Sequence, residues 1–260
     1  MSLSVTPLSS LHSAVAHSPG PLDHAAVLVP ACDPGPTLIP LIASLLEHGF
    51  GAVIVVNDGS SSASAAIFVE LEPLGRVHIL RHAINLGKGR ALKNGINYFL
   101  AELPRFDVLV TADADGQHTP TDIARVAQAA LHATGKAVLG SRCFVKDVPF
   151  RNRVGNRLTR HIFAFVTGTR LADTQTGLRA FPRAMLPVLL LLKGERYEYE
   201  MSVLAHICRK GNKPLEVPIQ TIYIDGNSSS HFDPIRDSLS IYLVLLRLFC
   251  LASSQQASVS

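Results

Sequence analysis

Asp113-Ala114-Asp115-Gly116-Gln117-His118 sets two carboxylates one residue apart directly after the apolar run Val108 to Ala112. Like charges about 4 Å apart repel by roughly 4 kcal/mol at an effective dielectric of about 20, so such a pair is stable chiefly where water or a cation occupies it. Hard divalent ions take oxygen ligands, and Asp113, Asp115 and the Gln117 carbonyl supply them. The same residue types also make an ordinary turn, so the pair draws its meaning from its neighbours. Asn57-Asp58-Gly59-Ser60, after another apolar run, puts a carboxylate where it can accept hydrogen bonds from a uracil or guanine ring or from a ribose. Asn85-Leu86-Gly87-Lys88-Gly89 opens a helical pattern with glycines and a lysine, so backbone donors and a cation could face a diphosphate. It is neither a P-loop nor a dinucleotide fingerprint, since Leu92 stands where the third glycine belongs.

The elements that must position these residues read as a mostly parallel α/β sheet. Ala25 to Val29, Ala52 to Val56, Val77 to Leu80, Val108 to Ala112 and Ala137 to Leu139 are short and apolar, bounded by Pro, Gly, Asp or Asn, as strands buried on both faces are. Leu38 to Leu46, Ala63 to Leu71, Arg90 to Leu103 and Ile123 to His132 repeat apolar residues at helical spacing between them. Alternation of this kind implies right-handed crossovers and a ligand site at the carboxyl ends of the strands. The polar residues after each strand are therefore the functional candidates.

Beyond Arg142 the pattern changes. Arg151, Arg153, Arg157 and Arg160 precede the apolar residues Ile162, Phe163, Phe165 and Val166. That combination suits either a membrane surface with a phosphate-bearing lipid or a solvated helix packed by its apolar side. Ile241 to Ala252 is apolar except for Tyr242 and Arg247. Its twelve residues reach about 18 Å as helix, too short for a hydrocarbon core of about 30 Å. An interfacial helix, a core helix and a helix against a membrane partner all remain open.

The expected organisation is a flexible tail over residues 1–22, one α/β domain over 23–232, and an amphipathic helix with a tail over 233–260. The chain is 47% hydrophobic and 17% charged, which excludes a disordered protein, and its net charge of +4 without a basic aromatic stripe gives no case for nucleic acid. Cys32, Cys143, Cys208 and Cys250 show no Cys-x-x-Cys spacing, so neither a zinc site nor a disulfide framework is indicated. Reduced thiols in the cytosol are the expectation.

Taken in order, Pro30, Asn57 to Ser60, Asn85 to Gly89 with Ala91-Leu92, Asp113 to His118, Gly140-Ser141-Arg142 and Asp173 to Arg179 resemble the family 2 glycosyltransferases. Within them the chain is most similar to the branch of dolichyl- and polyprenyl-phosphate sugar synthases, from about Ala25 to Phe232. The resemblance implies a GT-A fold and a UDP- or GDP-sugar donor bound with Mg²⁺ or Mn²⁺. It also implies inversion at the sugar and a polyprenyl phosphate acceptor at the inner face of the cytoplasmic membrane. Pro30 and Asp58 would hold the nucleobase and ribose, and Lys88, Asp113, Ala114 and Asp115 the rest of the donor. Asp113, Asp115 and Gln117 would hold the metal. Arg142, Arg151, Arg153 and Arg179 would meet the acceptor phosphate. Asp173, Glu198 and Glu200 would line the sugar pocket, unless Glu198 and Glu200 merely favour a helix N-terminus. Asp115, Arg142 and His231 would be catalytic.

Three departures stand out. Pro30-Ala31-Cys32-Asp33-Pro34 replaces the family's Pro-x-Tyr-Asn-Glu, so a donor-binding carboxylate is absent or moved to Asp33. Ser230-His231 replaces a Ser-Lys pair, a form found in a bacterial subgroup often fused to a multi-helix membrane domain; here the equivalent would be a separate membrane partner. The chain has no Trp, so the Gln-x-x-Arg-Trp signature of processive synthases is absent.

A lipid phosphate oxygen is already anionic near neutral pH, a second phosphate pKa being about 6, so no general base is needed. A hydroxyl acceptor would need one, and Glu198 and Asp173 are the candidates. The alternatives to lipid-phosphate transfer are a glycosyltransferase acting on a hydroxyl of a glycolipid or polysaccharide, and a non-catalytic nucleotide-sugar-binding protein.

Overall fold

The computed structural model describes residues 20–142, 150–209, 213–220 and 239–246, with only the backbone of 150–158. Among the described residues seven strands form one sheet: β1 (Ala25–Ala31), β2 (Ala52–Asp58), β3 (Val77–His82), β4 (Val108–Thr111), β5 (Val138–Arg142), β6 (Arg179–Pro182) and β7 (Leu215–Ile219). Their order is β3-β2-β1-β4-β6-β5-β7, with β6 antiparallel to both neighbours and every other pairing parallel. The helices are α1 (Leu38–Glu47), α2 (Ala65–Leu71), α3 (Lys88–Glu102), α4 (Pro120–His132), α5 (Phe150–Thr167), α6 (Leu186–Leu190) and α7 (Glu198–Arg209).

The apolar runs become strands because both faces are covered. Along β1, Ala25, Val27 and Val29 pack in a cluster with α1, α2 and α4, while Ala26 and Leu28 point into the opposite cluster with α3, α6 and α7. Gly95 lets α3 lie close to the sheet, since a Cβ there would fall 2.2 Å from Leu28 Cδ1. Helix α4 starts where Thr119 Oγ1 accepts the Asp122 amide at 3.0 Å, with Pro120 in its first turn.

Leu22 is 1% exposed and belongs to the core, so core packing reaches into the segment expected to be tail. Two strands escaped the sequence pattern. β6 is four residues that include Arg179 and Pro182, and β7 carries Pro218. Neither shows the Val/Ile-rich run that marked the others.

Among the described residues no helix is long and apolar enough to cross a membrane. The helix at 239–246 buries Ile241 and Leu245 in a third cluster with Leu139 and Phe163, and leaves Leu239, Leu243 and Leu246 exposed. It is core-packed along one face; residues 247–252 of the expected helix lie outside the described residues.

Candidate active site

β1 and β4 pair only from Ala25↔Val108 to Leu28↔Thr111, whereas β1 stays paired with β2 through Ala31↔Asn57. The chains leaving Leu28 and Thr111 therefore diverge, between strands where the sheet order reverses, which is where such sheets bind ligands. Pro30 extends β1 on the β2 side beyond the β4 pairing, so its missing N–H costs no bond to β4.

One cavity fills this crevice. Pro30 and Asp33 reach it from β1, Asp58 from β2, Lys88 from α3, and Asp113, Ala114 and Asp115 from β4. The seven residues assigned to the donor by resemblance thus share a single wall.

Asp113 Oδ1 lies 2.6 Å from Lys88 Nζ, and its Oδ2 3.6 Å from His118 Nε2. Burial works against the Asp113 charge, but Lys88, with His118 behind it, holds this carboxyl well below the usual range. Burial opposes the Lys88 charge too, and Asp113 and Glu200 override it, so the ammonium stays protonated. Asp115 goes the other way. Burial first and the Asp113 charge second push its carboxyl up, against the Gln117 amide bonded to Asp115 Oδ1 at 3.0 Å. Two carboxylates are thus held in mutual repulsion, with Lys88 in direct contact with Asp113 and acting on Asp115 only from farther away. His118 is 5% exposed, and among the described residues neither ring nitrogen has a hydrogen-bond partner.

Several expected roles need correction. Asp58 is 3% exposed, and its oxygens accept from His82 Nδ1 at 2.7 Å and from the Leu86 and Gly87 amides at 2.8 Å. Asn94 Nδ2 closes the chain on His82 Nε2 at 2.9 Å. Asp58 therefore shapes the 84–87 loop rather than offering an open carboxylate to a base, and those two amides are spent on Asp58 and not on a diphosphate. Asp33 has φ +44°, and its Oδ1 accepts from Ser61 N and Ser61 Oγ at 2.8 and 2.7 Å, tying the end of β1 to the loop after β2.

Arg179 is 3% exposed, its Nε donating to Thr176 O at 2.9 Å and its Nη1 to Glu200 O at 2.6 Å. A guanidinium sunk in the fold and committed to carbonyls cannot meet an acceptor phosphate. Glu200 Oε2 sits 2.8 Å from Lys88 Nζ, so it pairs with the donor-side cation. Glu198 Oε1 accepts the Glu195 and Arg196 amides at 2.9 and 3.3 Å, which is the helix N-terminal role. Asp173 is fully buried and grips Arg142 through Nε at 2.6 Å and Nη2 at 3.1 Å, while its Oδ1 also accepts the Gln175 amide at 2.9 Å. It orients Arg142 and leaves no carboxylate to line a sugar pocket. His231 lies outside the described residues; so do the side chains of Arg151 and Arg153 at the start of α5.

Sequence reasoning passed over Arg196, which also lines the cavity, and the contact between Gly177 and Asp113. The signal for the first was the glycine spacing at Gly87 and Gly89. A Cβ at Gly87 would fall 2.6 Å from Glu195 O, and one at Gly89 would fall 2.8 Å from Arg196 O, so both glycines serve close packing against 195–196.

Comparison with known proteins agrees with this geometry. The UDP-N-acetylglucosamine–dolichyl-phosphate N-acetylglucosaminyltransferase of Methanococcus voltae is 33% identical over 220 residues, covering 76% of this chain and 86% of that protein. The polyprenol monophosphomannose synthase of Mycolicibacterium smegmatis is 29% identical over 210 residues, covering 76% and 77%. Glucosyl-3-phosphoglycerate synthase from Mycobacterium tuberculosis, solved with Mn²⁺, UDP and phosphoglyceric acid, superimposes with a TM-score of 0.65 at 16% identity over 86% of this chain and 78% of that one. That likeness shows the fold, which is GT-A. The family model described as Glycosyl transferase family 2 matches residues 26–191. With strand-end acids, lysine-bearing helix and family match in agreement, this chain is a glycosyltransferase belonging to family 2.

Proposed function

We propose that this enzyme transfers a hexose from a UDP- or GDP-sugar to a polyprenyl phosphate, with inversion, as a peripheral protein at the inner face of the cytoplasmic membrane. The observation that carries the proposal is the convergence of Asp113 and Asp115, beside Lys88, in the cavity at the β1/β4 crevice. The names of the archaeal and mycobacterial relatives support a lipid-phosphate acceptor.

The residues fit a divalent ion. Asp113 and Asp115 are hard oxygen donors, buried and repelling one another, and His118 leaves a buried imidazole without a hydrogen-bond partner beside them. Among the described residues no three acidic, His or Cys side chains converge into a closed cage. Mg²⁺ commonly binds through one or two carboxylates plus substrate phosphates, so an open pair suits it. Asp113 and Asp115 would hold the ion, with the Gln117 carbonyl as the remaining candidate. Bound there, Mg²⁺ or Mn²⁺ would supply positive charge against the departing diphosphate.

The remaining work belongs to the chain. The crevice orients the donor, and Asp173 fixes Arg142 at the end of β5, where the proposal has it meet the acceptor phosphate. The two candidate bases are otherwise engaged, Glu198 with backbone amides and Asp173 with Arg142. With both of these candidates engaged, the described residues suit an acceptor that is already anionic. Any separate membrane partner would assist delivery of the lipid.

The test is incubation of the purified protein with Mg²⁺, labelled nucleotide sugars and undecaprenyl phosphate. Label is expected in the organic phase with one donor. Label that reaches only hydroxyl acceptors, or none at all from folded protein, would sink the proposal.

A further inference from the structure

We infer that Arg196 is a ligand for the donor's diphosphate, supplied by the segment that joins α6 to α7; the inference rests on the donor-cavity reading given above. The cavity is lined by four carboxylates, Asp33, Asp58, Asp113 and Asp115, and by two cations, Lys88 and Arg196. Lys88 is committed to Asp113 at 2.6 Å and Glu200 at 2.8 Å. The Arg196 guanidinium has no carboxylate partner among the described residues, although its residue is exposed and borders the acids.

A diphosphate beside a helix N-terminus is ordinarily met by backbone amides of the preceding loop. Here the Leu86 and Gly87 amides both donate to Asp58 at 2.8 Å, and the Arg90 amide donates to Glu195 O at 2.9 Å. Three of the amides around that N-terminus are therefore already engaged, which leaves more of the phosphate charge to side chains. Of the two cations that line the cavity among the described residues, Arg196 is the one that remains.

The base of Arg196 is fixed while its tip is open. Its amide donates to Glu198 Oε1 at 3.3 Å, its carbonyl accepts the Tyr199 amide at 3.3 Å, and its Cγ lies 2.8 Å from where a Cβ on Gly87 would stand. The stem is thus laid over the glycine that precedes α3. A guanidinium anchored this way loses little freedom on forming a two-pronged contact with phosphate oxygens.

Calorimetry on the full chain tests this, using UDP, UMP, GDP and GMP in excess Mg²⁺ with wild type, Arg196→Gln and Arg196→Lys. Glutamine keeps the Cγ that packs on Gly87, so the fold is expected to hold, with an unchanged thermal midpoint as the check. For the base the protein accepts, Arg196→Gln should weaken the diphosphate by about tenfold and leave the monophosphate unchanged, with lysine in between. Diphosphate affinity equal in wild type and Arg196→Gln overturns the assignment while leaving the donor cavity intact. If neither UDP nor GDP binds wild type, the donor-cavity reading falls and Arg196 falls with it.

Discussion

Asp113 is crowded from three directions, and each can be tested by one residue. Lys88 and His118 approach its two oxygens, and Gly177 closes the third side so tightly that a Cβ there would stand 2.3 Å from Oδ2. Gly177 cannot step back, because Thr111 Oγ1 donates to its carbonyl at 2.8 Å. In Gly177→Ala the carboxylate has to yield instead. We expect turnover to be largely lost while stability drops by about 1–3 kcal/mol, the usual range for overpacking, as read from kcat and a denaturant midpoint. A fully active Gly177→Ala would show that the Asp113 position is uncritical. Glu198 offers the opposite test. Glu198→Gln keeps an oxygen for the Glu195 and Arg196 amides and loses only the charge that favours the α7 N-terminus, about 0.3–1 kcal/mol. Its kcat should stay near wild type, whereas a general base would cost about 10²–10⁴-fold. At this scale the sequence located the cavity residues well, because strand ends are legible from apolar runs. It misjudged partners: nothing near Lys88 in sequence announces Glu200, and nothing near Asp58 announces that its oxygens go to His82 and to the loop after β3.

Helix α3 does the positioning at the next scale, since it carries Lys88 at its first residue and rests on β1 through Gly95. Gly95→Ala puts a methyl 2.2 Å from Leu28 Cδ1 and 2.8 Å from Leu28 Cδ2, so either the leucine rotates or the helix lifts. We expect a loss of about 1–3 kcal/mol in urea unfolding, together with weaker nucleotide binding if the helix is what moves. Unchanged stability would mean that the Leu28 side chain relaxes at no cost. Five strands and four helices between Ala25 and Arg142 were legible because each repeats apolar residues at its own period, or in an unbroken run. β6 was not. Its Arg179 is tolerable inside a sheet because Thr176 O and Glu200 O receive the guanidinium, and the Glu200 half of that compensation comes from another part of the chain. β7 was hidden by Pro218 and by an exposed Leu215, both consistent with the outermost strand of the sheet.

For the molecule as a whole, the question is whether the far end of the sheet faces lipid, and helix 239–246 separates the possibilities. Ile241 and Leu245 face Leu139 and Phe163, and Tyr242 Oη lies 3.3 Å from Thr159 Oγ1, so one side of the helix is structural. Leu243 is 44% exposed and Leu246 57% exposed on the other side, and the chain carries a net charge of +4 that favours an anionic bilayer. Leu245→Ala should therefore cost about 2–5 kcal/mol of stability, as large-to-small changes at buried sites do, with the loss seen in solution and independent of lipid. Leu243→Glu should leave the thermal midpoint almost unchanged, yet reduce sedimentation with phosphatidylglycerol vesicles, because it places a charge where a methyl-rich edge would enter the headgroup region. If wild type and Leu243→Glu sediment equally, this face does not touch the bilayer, and the peripheral membrane placement would have to rest on another surface.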